Sequence, residues 1–250
     1  MDSETQWWAS SSANNLCHYT SAESLVKILE QSALRLGPFK ESNDPYEFED
    51  WLPSAVMGKG ARTVADTLIA DIWQIQRRVN RVAFAMDGVN GPPSHGCIDV
   101  CHRGFGSLPM WAHYADHFRG GCLVFDRGRL VELATAMLKP TSEAFYCERV
   151  SYEDDVLFGP SSPITDTGSG YLAKNAAELM FRKRAQWSYE HEFRIVAVAP
   201  VEGSQILEYG DSLVGVIVGV KSPLNHYDVG KRYGVRAQGQ MFSSGVQTIY

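Results

Sequence analysis

Short stretches of alternating apolar and polar residues and short stretches of helical periodicity follow one another irregularly along this chain. This irregular interleaving narrows the fold more than any other feature. A doubly wound sheet requires strand and helix to alternate in a regular rhythm, which is absent here. The pattern predicts a single α+β domain over residues 16–250, with short mixed or antiparallel sheets and flanking helices, behind a flexible N-terminal segment over residues 1–15. Leu16 to Tyr19 reads as a first strand. Thr20-Ser21-Ala22-Glu23 matches a capping box for a helix reaching about Ser32. Leu34-Arg35-Leu36 alternates as a strand that Gly37-Pro38 ends, and Asn43-Asp44-Pro45 signals a turn. Val64, Leu68, Ile72, Ile75 and Val79 mark an amphipathic helix.

Further along, strands are predicted over Val82–Met86, Cys97–His102, Cys122–Phe125, Arg149–Tyr152, Phe193–Ala199, Leu213–Val220 and Val235–Phe242. Helices are predicted over Pro109–His117, Leu130–Leu138, Tyr171–Arg184 and Asn225–Tyr233. Gly88–Gly96 and the Gly, Pro, Ser and Thr-rich Phe158–Gly170 read as loops, the second mobile.

Bulk properties exclude several classes. The chain has 250 residues, 44% hydrophobic and 21% charged, enough for one buried core. No run of 18 apolar residues is present, so no membrane-spanning helix is expected. The polar start lacks the pattern of a signal peptide, and five cysteines form no even framework, which together point to a reducing, cytoplasmic setting. A net charge of −6 works against broad binding to phosphate backbones. Two basic clusters, Arg77, Arg78 and Arg81, then Arg182, Lys183 and Arg184, are either a local groove or solvated helix ends.

Several familiar chemistries fail on spacing. No phosphate loop, dinucleotide-binding glycine fingerprint or nucleophile elbow occurs. His95, Cys97, Cys101 and His102 lack a standard zinc spacing, and His113 with His117 lacks the intervening glutamate of a zincin, so no metal is expected. Asp44, Glu47 and Glu49 around a proline turn read either as a solvated acidic loop or as ligands of a metal-dependent nuclease.

The most distinctive stretch is Trp187-Ser188-Tyr189-Glu190-His191-Glu192-Phe193-Arg194, where two carboxylates open an apolar strand. Successive strand residues point to opposite faces, which puts Glu190 and Glu192 together and His191 opposite. Such a pair suits acid/base chemistry or a grip on a sugar hydroxyl; it equally suits a solvated strand end. Two other segments carry polar and aromatic groups where an element begins or ends: His18-Tyr19-Thr20 and Met110-Trp111-Ala112-His113-Tyr114-Ala115-Asp116. Trp111 and Tyr114 could stack on a flat ring or fill the core; His18 could bond a ribose hydroxyl or be a satisfied structural histidine.

Taken in order, His18-Tyr19-Thr20-Ser21, the segment from Leu34-Arg35 to Asn43-Asp44-Pro45-Tyr46-Glu47, the Met110–Asp116 block and the Trp187–Arg194 block resemble the bacterial domain-of-unknown-function family 2971. More distantly, the first-strand histidine and the late E-x-E resemble ADP-ribosyltransferases, among them the DNA-modifying toxins of toxin–antitoxin systems. That likeness implies an ADP-ribosyltransferase-like fold and NAD as substrate. It gives Glu192 and Glu190 as the catalytic pair, Glu192 at the ribose and Glu190 on the acceptor side. It gives His18, Tyr19, Arg35, Trp111, His113, Tyr114 and Arg194 as the residues around NAD. Arg35 or Arg194 would hold the pyrophosphate; otherwise Arg194 pairs internally with Glu190 or Asp116. The middle block departs from the serine-containing strand usual in that superfamily. The implied function is an NAD-consuming transferase or glycohydrolase, a toxin or phage-defence effector, with a nucleic-acid or protein acceptor and an antitoxin or defence-system partner. The alternative is a non-catalytic nucleotide- or protein-binding sensor module of a defence system.

Overall fold

The computed structural model describes residues 14–44, 47, 51, 62–87, 103–154, 168–243 and 246–249. In chain order the elements are β1 (Asn15–Thr20), α1 (Ala22–Gln31), β2 (Ala33–Pro38), α2 (Arg62–Gln76), β3 (Val79–Met86), α3 (Leu108–Tyr114), β4 (Gly121–Asp126), α4 (Arg127–Leu138), β5 (Ala144–Arg149), β6 (Ser151–Glu153), α5 (Gly168–Met180), β7 (Arg182–Arg184), β8 (Glu192–Val198), β9 (Gln205–Glu208), β10 (Leu213–Val218), α6 (His226–Tyr233), β11 (Ala237–Ser243) and β12 (Val246–Ile249). The expected α+β class with a mixed sheet is what these elements form. β10 pairs with β11 in parallel, while β1, β3, β4, β5 and β8 join one another antiparallel. No helix among the described residues is long and apolar enough to cross a membrane.

The sheet branches at β3. β8 covers one of its edges from Val79 to Ala85. Two strands share the other: β1 pairs at Ala85 and Met86, and β2 at Asn80 and Arg81. Between these pairings the edge of β3 is left without a strand partner around Ala83. β1 leaves β3 after Cys17 but stays on β4 through Thr20. Gly120 allows this close approach, because a Cβ there would lie 1.9 Å from the Thr20 carbonyl oxygen.

Strand alternation sorts side chains onto the two faces of the sheet. Val82, Phe84, Phe193, Ile195 and Ala197 join Leu16, Leu25, Leu123 and Leu130 in the main core. The opposite face holds two smaller apolar clusters. One gathers Cys17, Tyr19, Ala85, Phe105, Trp111 and Cys122. The other gathers Phe39, Trp51, Tyr171, Val196 and Val198 with helices α2 and α5. Polar residues of β3 and β8 lie between them.

Local chemistry moves several predicted boundaries. Ser21, not Thr20, caps α1 by accepting from the Ser24 amide at 3.2 Å, and Thr20 remains in β1. Val79 opens β3 instead of closing α2. The predicted helix 171–184 stops at Met180, and Arg182–Arg184 forms β7 beside β6. β5 and β9 escaped the sequence pattern: the side chains of β5 do not alternate between buried and exposed, and β9 is only four residues long. The expected strand Cys97–His102, most of the loop 158–170 and residues 1–13 of the N-terminal segment lie outside the described residues, as do His95, Cys97, Cys101 and His102, while Asn15, expected in the flexible segment, opens β1 and is buried.

Candidate functional site

A cavity of about 250 Å³ opens where β1 parts from β3. Its wall includes His18 and Tyr19 of β1, Ala83 and Ala85 of β3, and Tyr114 of α3, with Lys183, Glu190 and Glu192 behind them. The register explains the space. Ala85 lies opposite Glu192 and Ala83 opposite Arg194, so two small side chains stand beside two large charged ones. His18 bridges the gap in the ladder: its Nδ1–H donates to the Ala83 carbonyl at 3.0 Å. Burial lowers its pKa, although the bond to Ala83 works the other way. The ring is therefore neutral near pH 7, with Nε2 left as an acceptor.

The two glutamates reach the cavity by a route the strand pattern did not give. Glu190 ends a 3-10 turn, Ala185–Glu190, and His191 follows in the left-handed region at φ 43°. The strand begins only at Glu192, whose same-face partner is Arg194. Glu190 and Glu192 thus meet across a bend. Glu190 accepts from the Tyr114 hydroxyl and from Lys183 Nζ at 2.6 Å. Glu192 accepts two bonds from Arg194, Nε at 2.7 Å and an Nη at 2.8 Å, and lies 3.1 Å from Lys183 Nζ.

Three acids and three bases close this network. Glu47 pairs with Arg194, lies 3.4 Å from Arg81 and 3.9 Å from Lys183. Arg81 also approaches Glu192 at 3.6 Å. Each of these side chains is buried or nearly so, and the formal charges of the six sum to zero. That balance is what makes burial tolerable, because an unpaired buried ion costs several kcal/mol. The surroundings push the acids apart. Burial raises Glu190, which Lys183 only partly offsets. Burial also acts on Glu192, but Arg194, Lys183 and Arg81 outweigh it and hold the carboxyl well below the usual range. Carboxyls driven in opposite directions within one site are the arrangement that lets one carry a proton while its neighbour stays ionised.

The remaining expected residues divide differently. Trp111 is fully buried, bonds the Phe105 carbonyl at 2.7 Å and packs edge-on against Tyr19; it is a core ring and not a stacking platform. Tyr19 touches the cavity, yet its hydroxyl is spent on the Gly104 carbonyl at 2.7 Å. His113 is exposed and lies near Tyr189, outside the cavity wall. His117 follows the end of α3 with φ 54°, so the helical spacing expected for the two histidines is not formed. Arg35 is exposed, bonded to Ser204 and 3.7 Å from Glu41 at the cavity rim. Arg194 is fully buried, and its partners are Glu192, Glu47 and the Met180 carbonyl, not Glu190 or Asp116. With these bonds made, it is committed to the network and not to a pyrophosphate.

Sequence reasoning missed Lys183, Arg81 and the placement of Glu47. The sequence places Lys183 in a basic cluster that is either a local groove or a solvated helix end; β7 turns it inward between two partly exposed arginines. The acidic turn around Glu47 was read as solvated or metal-binding, whereas Glu47 is buried.

No curated protein matches this chain. A family model does: residues 110–195, which carry Tyr114, Lys183, Glu190, Glu192 and Arg194, match the family described as Protein of unknown function (DUF2971); the match spans the last two of the four motifs and not the first two.

Proposed function

We propose that this cavity holds the nicotinamide–ribose end of NAD and that the protein consumes NAD as an ADP-ribosyltransferase or NAD glycohydrolase. The observation that carries the reading is convergence: His18, Tyr114, Glu190 and Glu192, from three distant segments, line one cavity. Its volume is below the ~300–1,000 Å³ of drug-sized sites, so one end of the dinucleotide enters and the rest lies outside. The N-glycosidic bond breaks with its electron pair passing to nicotinamide, and positive charge develops on the ribose. Glu192 supplies a fixed negative group nearby, muted by Arg194. The acceptor oxygen bonds the anomeric carbon and its proton passes to Glu190, whose raised carboxyl suits that exchange. Nε2 of His18 accepts from a ribose hydroxyl. Arg35, beside the rim residue Glu41, and Arg81, on the cavity wall, replace Arg194 as candidates for the pyrophosphate. The toxin or phage-defence setting follows from the resemblance alone.

The test is release of labelled nicotinamide from NAD. Glu190→Gln and Tyr114→Phe are expected to cut it by roughly 100-fold or more in protein that circular dichroism shows to be folded at the assay temperature. Release at the wild-type rate in folded Glu190→Gln protein would overturn the assignment. One observation favours the alternative of a non-catalytic binding module: both Glu192 oxygens are already engaged by Arg194 and Lys183. Calorimetric binding of NAD or ADP-ribose without turnover would establish that reading instead.

A further inference from the structure

Glu47 stands outside the strands that wall the cavity, yet it delivers a carboxylate into the charged network. We infer that Glu47 is a positioning residue, anchored through Trp51 and acting through Arg194 and Lys183 to hold Glu192 and Glu190 at the cavity wall. This inference rests on the cavity being the working site.

The anchor is built from aromatic and backbone contacts. The Trp51 indole N–H donates to the Glu47 carbonyl at 2.8 Å, and Tyr171 of α5 donates its hydroxyl to the Trp51 carbonyl at 3.2 Å. The Trp51 ring, 1% exposed, packs edge-on against Phe39 at 5.5 Å. The guanidinium carbons of Arg81 and Arg194 lie over that same Phe39 ring at 4.9 and 5.4 Å. One apolar cluster therefore fixes both the Glu47 backbone and the two guanidiniums it pairs with. Ser42 donates its hydroxyl to a Glu47 oxygen and so holds the carboxylate from the outer side.

Glu47 does not touch the cavity, since it is absent from its wall. Its influence passes through shared cations. An Nη of Arg194 bonds both Glu47 and Glu192. Lys183 Nζ lies 2.6 Å from Glu190, 3.1 Å from Glu192 and 3.9 Å from Glu47, so the three acids compete for one ammonium. The charged and titratable groups around Glu190 are Tyr114 of α3, Lys183 of β7, Tyr152 of β6, Tyr189 of its own turn and Glu192 of β8, with Arg81 of β3, Arg194 and Glu47 behind them. Neutralising Glu47 leaves three cations facing two acids. Glu190 then loses a proton more readily.

The test is a carboxyl NMR titration of Glu190 in the full chain labelled with ¹³C at glutamate Cδ, the signal being assigned by its loss in Glu190→Gln. In Glu47→Gln the Glu190 pKa is expected to fall by ~0.5 unit or more as the network gains one positive charge. In Glu47→Asp the carboxylate is kept but drawn back by one methylene, and a smaller fall in the same direction is expected. A purely structural Glu47 would lower the melting temperature and leave the Glu190 titration in place. Folded Glu47→Gln with Glu190 unmoved overturns the inference. Should Glu47→Gln fail to fold, folded Glu47→Asp with Glu190 unmoved overturns it equally. The readout needs no turnover: absence of nicotinamide release would defeat the NAD reading while leaving this titration decisive for Glu47.

Discussion

Replacing Lys183 with methionine tests the charged network at its most shared member. The lysine side chain is 2% exposed and its ammonium lies within 4 Å of Glu47, Glu190 and Glu192. Methionine keeps most of the apolar stem and removes the charge, leaving three acids facing two guanidiniums. Removing one partner of a buried pair costs about 3–5 kcal/mol. For a chain of this length each kcal/mol is worth about 2–4 °C, so the melting temperature at pH 8 should fall by roughly 6–20 °C. The loss should not be the same at every pH. Glu190 already has a raised carboxyl, and without the ammonium it rises further. An acid whose folded pKa lies above its unfolded value weakens the fold once ionised, and this weakening disappears as pH falls through the folded pKa. The gap between wild type and Lys183→Met should therefore narrow from pH 8 to pH 5. Adding Glu190→Gln should recover about 1–3 kcal/mol at pH 8, because the neutral amide no longer needs the ammonium. Circular dichroism melts of the four proteins of this cycle, at pH 5 and pH 8, give every quantity. A deficit equal at both pH values, or none at all, would refute the account of Glu190 as the acid held ionised by Lys183.

Two further predictions address acid stability and the strand split. His18, His191 and His226 are lowered by burial, and Glu47 and Glu192 are lowered by their cations despite burial. Stability from the histidines is lost as pH falls below 6.5, where the raised carboxyls of Glu190 and Asp87 oppose the loss, and stability from the two acids is lost as pH falls below 4.5, where Glu190 no longer opposes it; melting temperatures recorded from pH 7 to pH 3 should fall most steeply below 4.5, and a flat profile there would count against the paired acids. Gly120→Ala forces a Cβ to within 1.9 Å of the Thr20 carbonyl unless the backbone moves, which should cost about 3 kcal/mol and be read directly by urea denaturation; a loss below about 0.5 kcal/mol would show that β1 yields freely at its end.

What the sequence disclosed follows the range of the forces involved. Elements with strong periodicity over a buried face were placed to within a few residues: β1, α1, β4, α4 and β8 all have apolar residues at the expected spacing. Elements whose neighbours decide their fate were not. Arg182-Lys183-Arg184 has the composition of a solvated helix end, and only pairing with β6 and the presence of two glutamates draw its central residue inward. Glu47 looked solvated because nothing within several residues of it supplies a cation; its partners lie on β3, β7 and β8. Trp111 offered no local sign of which way its ring faces, and the Phe105 carbonyl that takes its N–H settles the matter.

The E-x-E pair shows how a correct association can arise from a different geometry. Alternation places Glu192 and Arg194 on one face, and this adjacency produces the bidentate pair at 2.7 and 2.8 Å. Had Glu190 continued the strand, it would have stood beyond Glu192 on the same face, paired in line with it. The left-handed His191 instead turns the chain, its carbonyl accepts from the Met86 amide at 3.0 Å, and Glu190 swings toward Tyr114 and Lys183. The bend gives the two acids separate partners: Arg194 takes both oxygens of one, while a hydroxyl and an ammonium divide the other. Their carboxyls shift in opposite directions accordingly: burial prevails at Glu190 over Lys183, whereas Arg194, Lys183 and Arg81 together prevail over burial at Glu192. The difference in proton affinity between the two acids thus accompanies the bend at His191, and β8 beyond it keeps Arg194 beside Glu192.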